Sequence, residues 1–527
     1  MAYILPLLLY TGLGGGLLLF GVASIPHLHF LRKPMYAGWL TLLAFLWLLL
    51  PQQGRWIPSV WAPGSVLGGH MVLDLTPAMW QLGLIVTLIF CGVAWFEVAE
   101  RRKAPGLTGP VVLIILMLTW LTLMSGSLLT LLAMWAVFDL VWGVAGLMSG
   151  AEGERVVFGL ALHGIASLIL WVASLFMLQS GAGELWWLMW PDAPMLILLI
   201  IAALIRVGFY PFQIVFPEGL GSTRSLSLVY FMGPVTGVAL LYRLLMLPGM
   251  PRLPDWVAVW GVLAMLWGGL IAWTGRRQPT VAGACHALFI GLVTGTCVIG
   301  SGSLLLLVSG VWAAGGALLA LGYGRDRRAI AWTWPVWLAL LFFLGAPPSP
   351  VGSIYAHMFE TLPWTLRLAL LIGICSISAV FIQRVVPFAR GAVTPPAMWQ
   401  RVAMIAGLSL VTATLIGATT LIELPGSRPS LHGQQLPFSW LGFGFWLLSV
   451  LGAAALLRWG KPLRERARYS QPVMEFIDLQ WLYRSMWRGA EHLLGVLRVS
   501  ADVIEGSASP LWSLLILLLI LLVVGQQ

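Results

Sequence analysis

Arg206 stands in the later part of an apolar run, and residues 205–231 around it read IRVGFYPFQIVFPEGLGSTRSLSLVYF. A few residues on, Pro211 and then Pro217 break that run; each removes a backbone donor and clashes with the carbonyl one turn back. An arginine at membrane depth costs at least about 2.5–3.5 kcal/mol on insertion scales, so it faces a bundle interior or a water path and takes a partner. Non-helical backbone at that depth survives only where protein or water satisfies it. Broken helices that face charged groups are a transporter device. Asp139, in MWAVFDLVWGVAGL, is the one carboxylate well inside an early apolar run; Glu97 and Glu100 fall at a helix end, Glu152 and Glu154 in a loop. Two readings of Asp139 and Arg206 stand open: a static ion pair joining two helices, or a charged element of an ion pathway.

The elements that must position these groups follow from composition. The chain has 527 residues, 60% hydrophobic and 9% charged, against about 25% charged in a soluble domain. Apolar runs long enough to cross about 30 Å of hydrocarbon recur along it. They predict an all-α polytopic membrane protein with spans at 3–23, 35–51, 77–97, 110–126, 128–148, 156–178, 194–210, 224–247, 255–273, 279–300, 302–323, 329–345, 365–387, 400–423, 438–458 and 510–525. Residues 1–23 lack a basic start and a small-residue cleavage site, so they are read as a retained first helix rather than a signal peptide.

Lys and Arg accumulate in cytoplasmic loops, and here they alternate with the spans. Loops after odd-numbered spans carry Arg32 and Lys33; Arg101, Arg102 and Lys103; Arg155; Arg276 and Arg277; Arg325, Arg327 and Arg328; Arg390; and Lys461, Arg464, Arg466 and Arg468. Even-numbered loops hold little beyond Arg55, Arg252 and Arg428. The pattern predicts both termini on the outer, periplasmic side of the inner (cytoplasmic) membrane, and it accounts for the net charge of +10 without nucleic acid. Five regions result: N-terminal helices 1–76, a core 77–387, C-terminal helices 388–458, a cytoplasmic amphipathic segment 459–509 and a final helix 510–527. In the amphipathic segment Leu479, Leu482, Met486, Leu493 and Leu497 share one helical face, and Arg484, Arg488, Glu491, Arg498, Asp502 and Glu505 the other. Such a helix lies on a membrane as a connector, or straps the subunit to itself or a neighbour.

Cys91, Cys285, Cys297 and Cys375 sit singly in apolar runs with no metal-ligand spacing, and no nucleotide- or metal-binding motif occurs in a suitable context. No cofactor is expected. The count of 29 tryptophans exceeds what two aromatic belts need.

The stretch IRVGFYPFQIVFPEGLGSTRSLSLVYF, followed by GVALLYR, resembles the signature of the antiporter-like membrane subunits of respiratory complex I, Mrp-type cation/proton antiporters and membrane-bound hydrogenases. Arg206 falls on that family's lysine, Pro211 and Phe212 on its PF dipeptide, and Phe216, Pro217 and Glu218 on its turn. Asp139 falls on the glutamate of helix five, WAAGGALLALGYG at 312–324 on the helix-ten stretch, and GAPPSPVGS at 345–353 on a Gly/Pro element. The layout is most similar to the distal complex I subunit. The departures matter: the histidine of helix eight is Val229, and the helix-ten His and Lys positions are Trp312 and Gly316. A buried lysine gives up its proton readily, whereas arginine stays charged. The resemblance therefore implies an ion-translocating type of subunit whose own proton relay is degenerate. His286, Tyr323, His357 and Arg384 complete the ion-pathway candidates; lone histidines in spans are also satisfied core groups.

By the resemblance, this is a subunit of an energy-converting complex, at most a non-catalytic ion-translocating one of an NADH/quinone- or hydrogenase-type translocase. Its partners are other membrane subunits, the lipid bilayer and a soluble redox or zinc protein; redox chemistry lies in those partners. The competing expectations are the membrane half of a two-component inorganic-carbon uptake system and a structural scaffold. Cysteines introduced at Arg102 and Arg327 should react with an impermeant thiol reagent only from the cytoplasmic side. Reaction of either from outside sinks the sixteen-span topology.

Overall fold

Several helices begin on a hydroxyl cap. The Thr76 side chain accepts the Met79 N–H at 3.3 Å and the Ser127 side chain the Thr130 N–H at 3.1 Å, satisfying donors that a helix start leaves orphaned. Pro77 and Pro350 occupy first turns, where a missing N–H does no harm. The computed structural model describes residues 3–28, 30–57, 71–100, 106–149, 153–180, 185–212, 224–247, 253–274, 281–322, 330–346, 349–385, 398–420 and 440–460, with isolated positions from 462 to 492.

Among the described residues, sixteen α-helices follow one another: α1 (Ile4–Ser24), α2 (Arg32–Leu49), α3 (Pro77–Ala99), α4 (Thr108–Leu123), α5 (Leu128–Met148), α6 (Gly153–Ser180), α7 (Ala193–Val207), α8 (Arg224–Leu245), α9 (Asp255–Thr274), α10 (Val281–Ile299), α11 (Gly302–Gly322), α12 (Ile330–Phe343), α13 (Pro350–Thr361), α14 (Trp364–Val385), α15 (Met398–Thr420) and α16 (Trp440–Trp459). Among the described residues, ten are long and apolar enough to cross a membrane, and three more are shorter apolar helices. The protein is an all-α polytopic membrane protein. Each of the first fifteen predicted spans coincides with a helix; the last, 510–525, lies outside the described residues.

The sequence reading has no counterpart for α13. Left-handed Gly345 (φ 85°) follows α12, and Ser349 caps a new helix whose first residue is Pro350. With 14 and 12 residues, α12 and α13 run about 21 and 18 Å at 1.5 Å per residue. Neither crosses the bilayer alone, so the chain has a second interrupted span besides the one at Arg206. A short antiparallel ribbon pairs 54–56 with 73–75.

The two ends of the bundle carry different locks. At one, Arg243 Nη1 and Arg55 Nε donate to the Asp74 carboxylate at 2.9 and 3.1 Å, fastening the end of α8 to the ribbon. At the other, the Glu97 carboxylate at the end of α3 accepts the Ser225 N–H at 2.8 Å and the Ser225 hydroxyl at 2.5 Å. It thereby caps the start of α8, where the helix dipole favours an anion. Lys33 donates to the Glu100 carbonyl at this same end.

Inside the bundle the tryptophans act as hydrogen-bond donors between helices. Trp47 donates to the Trp80 carbonyl and Trp80 to that of Leu50; Trp120 donates to Thr87, Trp312 to the Cys285 carbonyl and Trp260 to that of Tyr210. A large apolar body with one donor suits a core without water. Part of the tryptophan count thus has a physical reason.

The chain divides into two units, 1–465 and 466–527. In the second, the described residues Trp481, Ser485, Arg488, Gly489 and His492 are helical, and the Ser485 hydroxyl donates to the Trp481 carbonyl one turn back.

Helix α15 crosses α3 backbone to backbone: a Cβ on Gly407 would meet the Gly92 carbonyl oxygen at 2.3 Å. Gly407→Ala should therefore destabilise the purified protein by about 1–3 kcal/mol, the usual cost of overpacking. Gly14→Ala, which meets nothing within 4 Å, should leave thermal unfolding in detergent unchanged. Equal midpoints for the two variants would refute the close crossing.

Candidate functional site: a buried ion pair beside a broken helix

Helix α7 ends at Val207, three residues before the tyrosine that precedes Pro211. Gly208 takes the left-handed conformation (φ 84°) and its N–H returns to the Leu204 carbonyl at 3.1 Å, a glycine helix stop. Pro211 follows in a cis peptide bond with Tyr210. The break therefore starts at the glycine, and the proline keeps the helix from resuming. Pro217 lies outside the described residues.

The stop leaves Arg206 in the last turn of α7 with its side chain wholly buried. Its Nη1 donates to Asp139 Oδ2 on α5 at 2.8 Å, and Nη2 approaches Oδ1 at 2.6 Å, outside hydrogen-bonding alignment. Nε donates to the Thr236 hydroxyl on α8 at 2.9 Å, and Thr236 donates to the Gly233 carbonyl. The guanidinium carbon lies 4.6 Å from the Trp135 ring centroid and 5.5 Å from that of Phe138. Aromatic faces and a carboxylate together replace the hydration that the charge would have in water.

A third titratable group joins the pair. His163, on α6 and fully buried, donates from Nδ1 to Asp139 Oδ1 at 3.0 Å. Sequence reasoning missed it. The signal was available, since an ionisable side chain in an apolar run is functional by default, but no spacing rule says that it faces Asp139. Thr236 and Trp135 were missed for the same reason.

The remaining candidates separate. His286, on α10, donates from Nε2 to the Gly208 carbonyl at 2.9 Å, at the break itself. Asp139, Arg206, Pro211 and His286 thus belong to one constellation. His357 is half-buried on α13, and its backbone carbonyl accepts the Thr361 hydroxyl. Tyr323 lies outside the described residues, as does the side chain of Arg384 on α14.

The positions that would continue the family's relay are packed with apolar groups. Val229 is buried. Trp312 stacks on Phe289 with ring centroids 4.0 Å apart, and Phe231 meets the same indole at 4.9 Å. A Cβ on Gly316 would strike Phe231 at 2.5 Å. Beyond the ion pair the interior is an aromatic wedge with no space for a lysine at 316.

If the pair is mutual, removing one partner strands a buried charge. Asp139→Asn and Arg206→Gln should each cost about 3–5 kcal/mol and the double variant less than their sum. Thermal or denaturant unfolding in detergent decides, and strict additivity would sink the coupling.

No family model and no curated protein sequence matches the chain. Solved structures do. A chain of the Mrp complex from Dietzia sp. DQ12-45-1b superposes with TM-score 0.72 at 17% identity, over 99% of this chain and 62% of that one. This chain thus spans about three fifths of that Mrp chain. A chain of the membrane-bound sulfane sulfur reductase, an archaeal respiratory membrane complex, matches with TM-score 0.69 at 16% identity, over 99% of this chain and 100% of the other. A chain of respiratory complex I from Thermus thermophilus matches with TM-score 0.62 at 16% identity, over 85% and 99%. The chain shares its fold with these chains of the Mrp complex, the membrane-bound sulfane sulfur reductase and respiratory complex I.

Proposed function

We propose that the chain is an antiporter-like integral membrane subunit of a multisubunit energy-converting complex, associated with proton or cation translocation, whose own relay is interrupted. One observation carries this reading: a buried Asp139–Arg206 pair beside a glycine-terminated helix, at 2.8 Å, within a fold shared with chains of three such complexes. Arginine holds its charge near neutral pH, and the wedge of Phe231, Trp312 and Phe289 follows where a relay needs polar groups or water. The pair is then a fixed electrostatic element rather than a station that alternates between neutral and charged.

The Lys/Arg distribution supports insertion in an inner membrane with both termini outside, and the Lys33–Glu97–Ser225 end facing the cytoplasm. The fold favours membrane subunits as neighbours and, among soluble partners, redox subunits over a zinc protein. Electron transfer would reside in those partners. No observation on the molecule favours the carbon-uptake or scaffold alternatives.

The test has two arms. A tagged chain drawn from its native membrane in mild detergent should carry other multi-pass subunits in fixed stoichiometry; a lone chain overturns the complex. The purified chain in proteoliposomes under a pH gradient should pass protons no faster than protein-free vesicles. Robust flux that Arg206→Gln abolishes would overturn the interrupted relay.

A further inference from the structure

Among the buried nitrogens beside the ion pair that have no hydrogen-bond partner among the described residues, His163 Nε2 and Trp142 Nε1 stand side by side. Both side chains are at most 1% exposed, and their rings lie 5.1 Å apart, centroid to centroid. They converge on one place. The point where a Cβ of residue 233 would sit is 3.9 Å from His163 Nε2 and 3.8 Å from Trp142 Nε1. Gly233 keeps that place free of carbon, while its carbonyl is occupied by Thr236.

The chemistry of the two nitrogens is complementary. His163 spends its Nδ1–H on Asp139, which fixes the tautomer and leaves Nε2 as an acceptor. The indole N–H of Trp142 can only donate. One water that donates to Nε2 and accepts from the indole satisfies both, and leaving them unpaired in the interior would cost about 1–3 kcal/mol each.

The surroundings lead to one end of the bundle. Tyr230 on α8 packs edge-on against the same indole at 5.7 Å. Its hydroxyl shares a 2.5 Å hydrogen bond with Ser149, the residue that caps the end of α5, and Ser149 donates to the Gly146 carbonyl. Ser149 and Tyr230 lie at the end of the bundle where Glu97 caps α8. At the depth of Tyr230, on the face of α8 toward α11, Phe231 and Trp312 close the interior with their rings 4.9 Å apart.

We propose that His163, Trp142 and Gly233 hold a buried water, and that through it His163 exchanges a proton with the Tyr230–Ser149 end alone. This rests on the reading of the chain as a subunit with an interrupted relay, and adds to it a site that loads a proton without passing it on. In the step, a hydronium proton arriving along Tyr230 and Ser149 moves through the bound water to Nε2. The imidazole becomes imidazolium and a water is left behind; unloading reverses the same path. The charged groups facing the ring are Asp139 from α5 and Arg206 from α7, with the Tyr230 phenol from α8. Loading takes the cluster from net zero to +1, with Asp139 between the two cations.

The experiment uses the full chain, labelled with 15N-histidine, in sealed lipid vesicles, and reads the His163 ring by solid-state NMR, assigned by the loss of its signal in His163→Gln. In the unmodified chain, Nε2 should gain a proton when the pH on the Tyr230–Ser149 side falls, and should ignore a change on the other side. Gly233→Ala places a methyl at ordinary contact distance from both rings. It should slow exchange of the ring with solvent deuterium at least tenfold while the protein folds normally. Tyr230→Phe should slow it at least threefold. A ring that ignores pH on both sides, or exchanges equally fast in Gly233→Ala, refutes the site. Proton flux across the same vesicles separates the two readings. Flux absent with a responsive ring supports both, and flux absent with an inert ring sinks this proposal alone. Flux that His163→Gln abolishes sinks the one-sided site and the interrupted relay together.

Discussion

A guanidinium that cannot be neutralised has been placed where water is scarce, and the centre of this bundle is organised by that constraint. Arg206 is wholly buried, so its positive charge must be met by groups fixed in advance. Asp139 on α5 supplies the opposite charge, Thr236 on α8 an acceptor for Nε, and Trp135 and Phe138 present aromatic faces. These contacts join two helices, α5 and α8, to the last turn of a third, α7, which stops one residue later. Without them the interrupted helix would end on an unmatched charge. With them the break becomes a defined point, at which His286 binds the buried Gly208 carbonyl.

Elsewhere in the interior a set of paired polar groups ties the helices together. Tryptophans tie helices together through single N–H donors, glycines at 92 and 407 let backbones touch, and carboxylates at 74 and 97 lock the two ends of α8. A buried donor or acceptor is normally satisfied, and His163 Nε2 and Trp142 Nε1, an acceptor and a donor side by side at the ion pair, have no partner among the described residues. The same comparison explains the asymmetry of the site. On one side of the ion pair, polar groups continue through Tyr230 to Ser149; on the other, Phe231, Trp312 and Phe289 stack.

Membrane class, the helical spans and the pairing of Asp139 with Arg206 were legible in the sequence because each rests on a rule with few exceptions. A run of apolar residues long enough for hydrocarbon becomes a helix, since backbone groups have no other partner there. When a span contains an arginine and carboxylates are rare, the choice of partner is short. What only the tertiary structure decided were relations across helices that no period encodes. Helix α13 was hidden because its apolar run is short and its start depends on a Ser349 cap. His163 gave a residue type but no direction, since the rotation of α6 that turns it toward Asp139 is set by packing against α5 and α7. Gly316 read as a lost lysine, yet only the position of Phe231 shows that the space is filled. The sequence by itself determined which groups could not face lipid; the packed structure decided which of them face one another, because side-chain contacts depend on helix rotation and crossing distance.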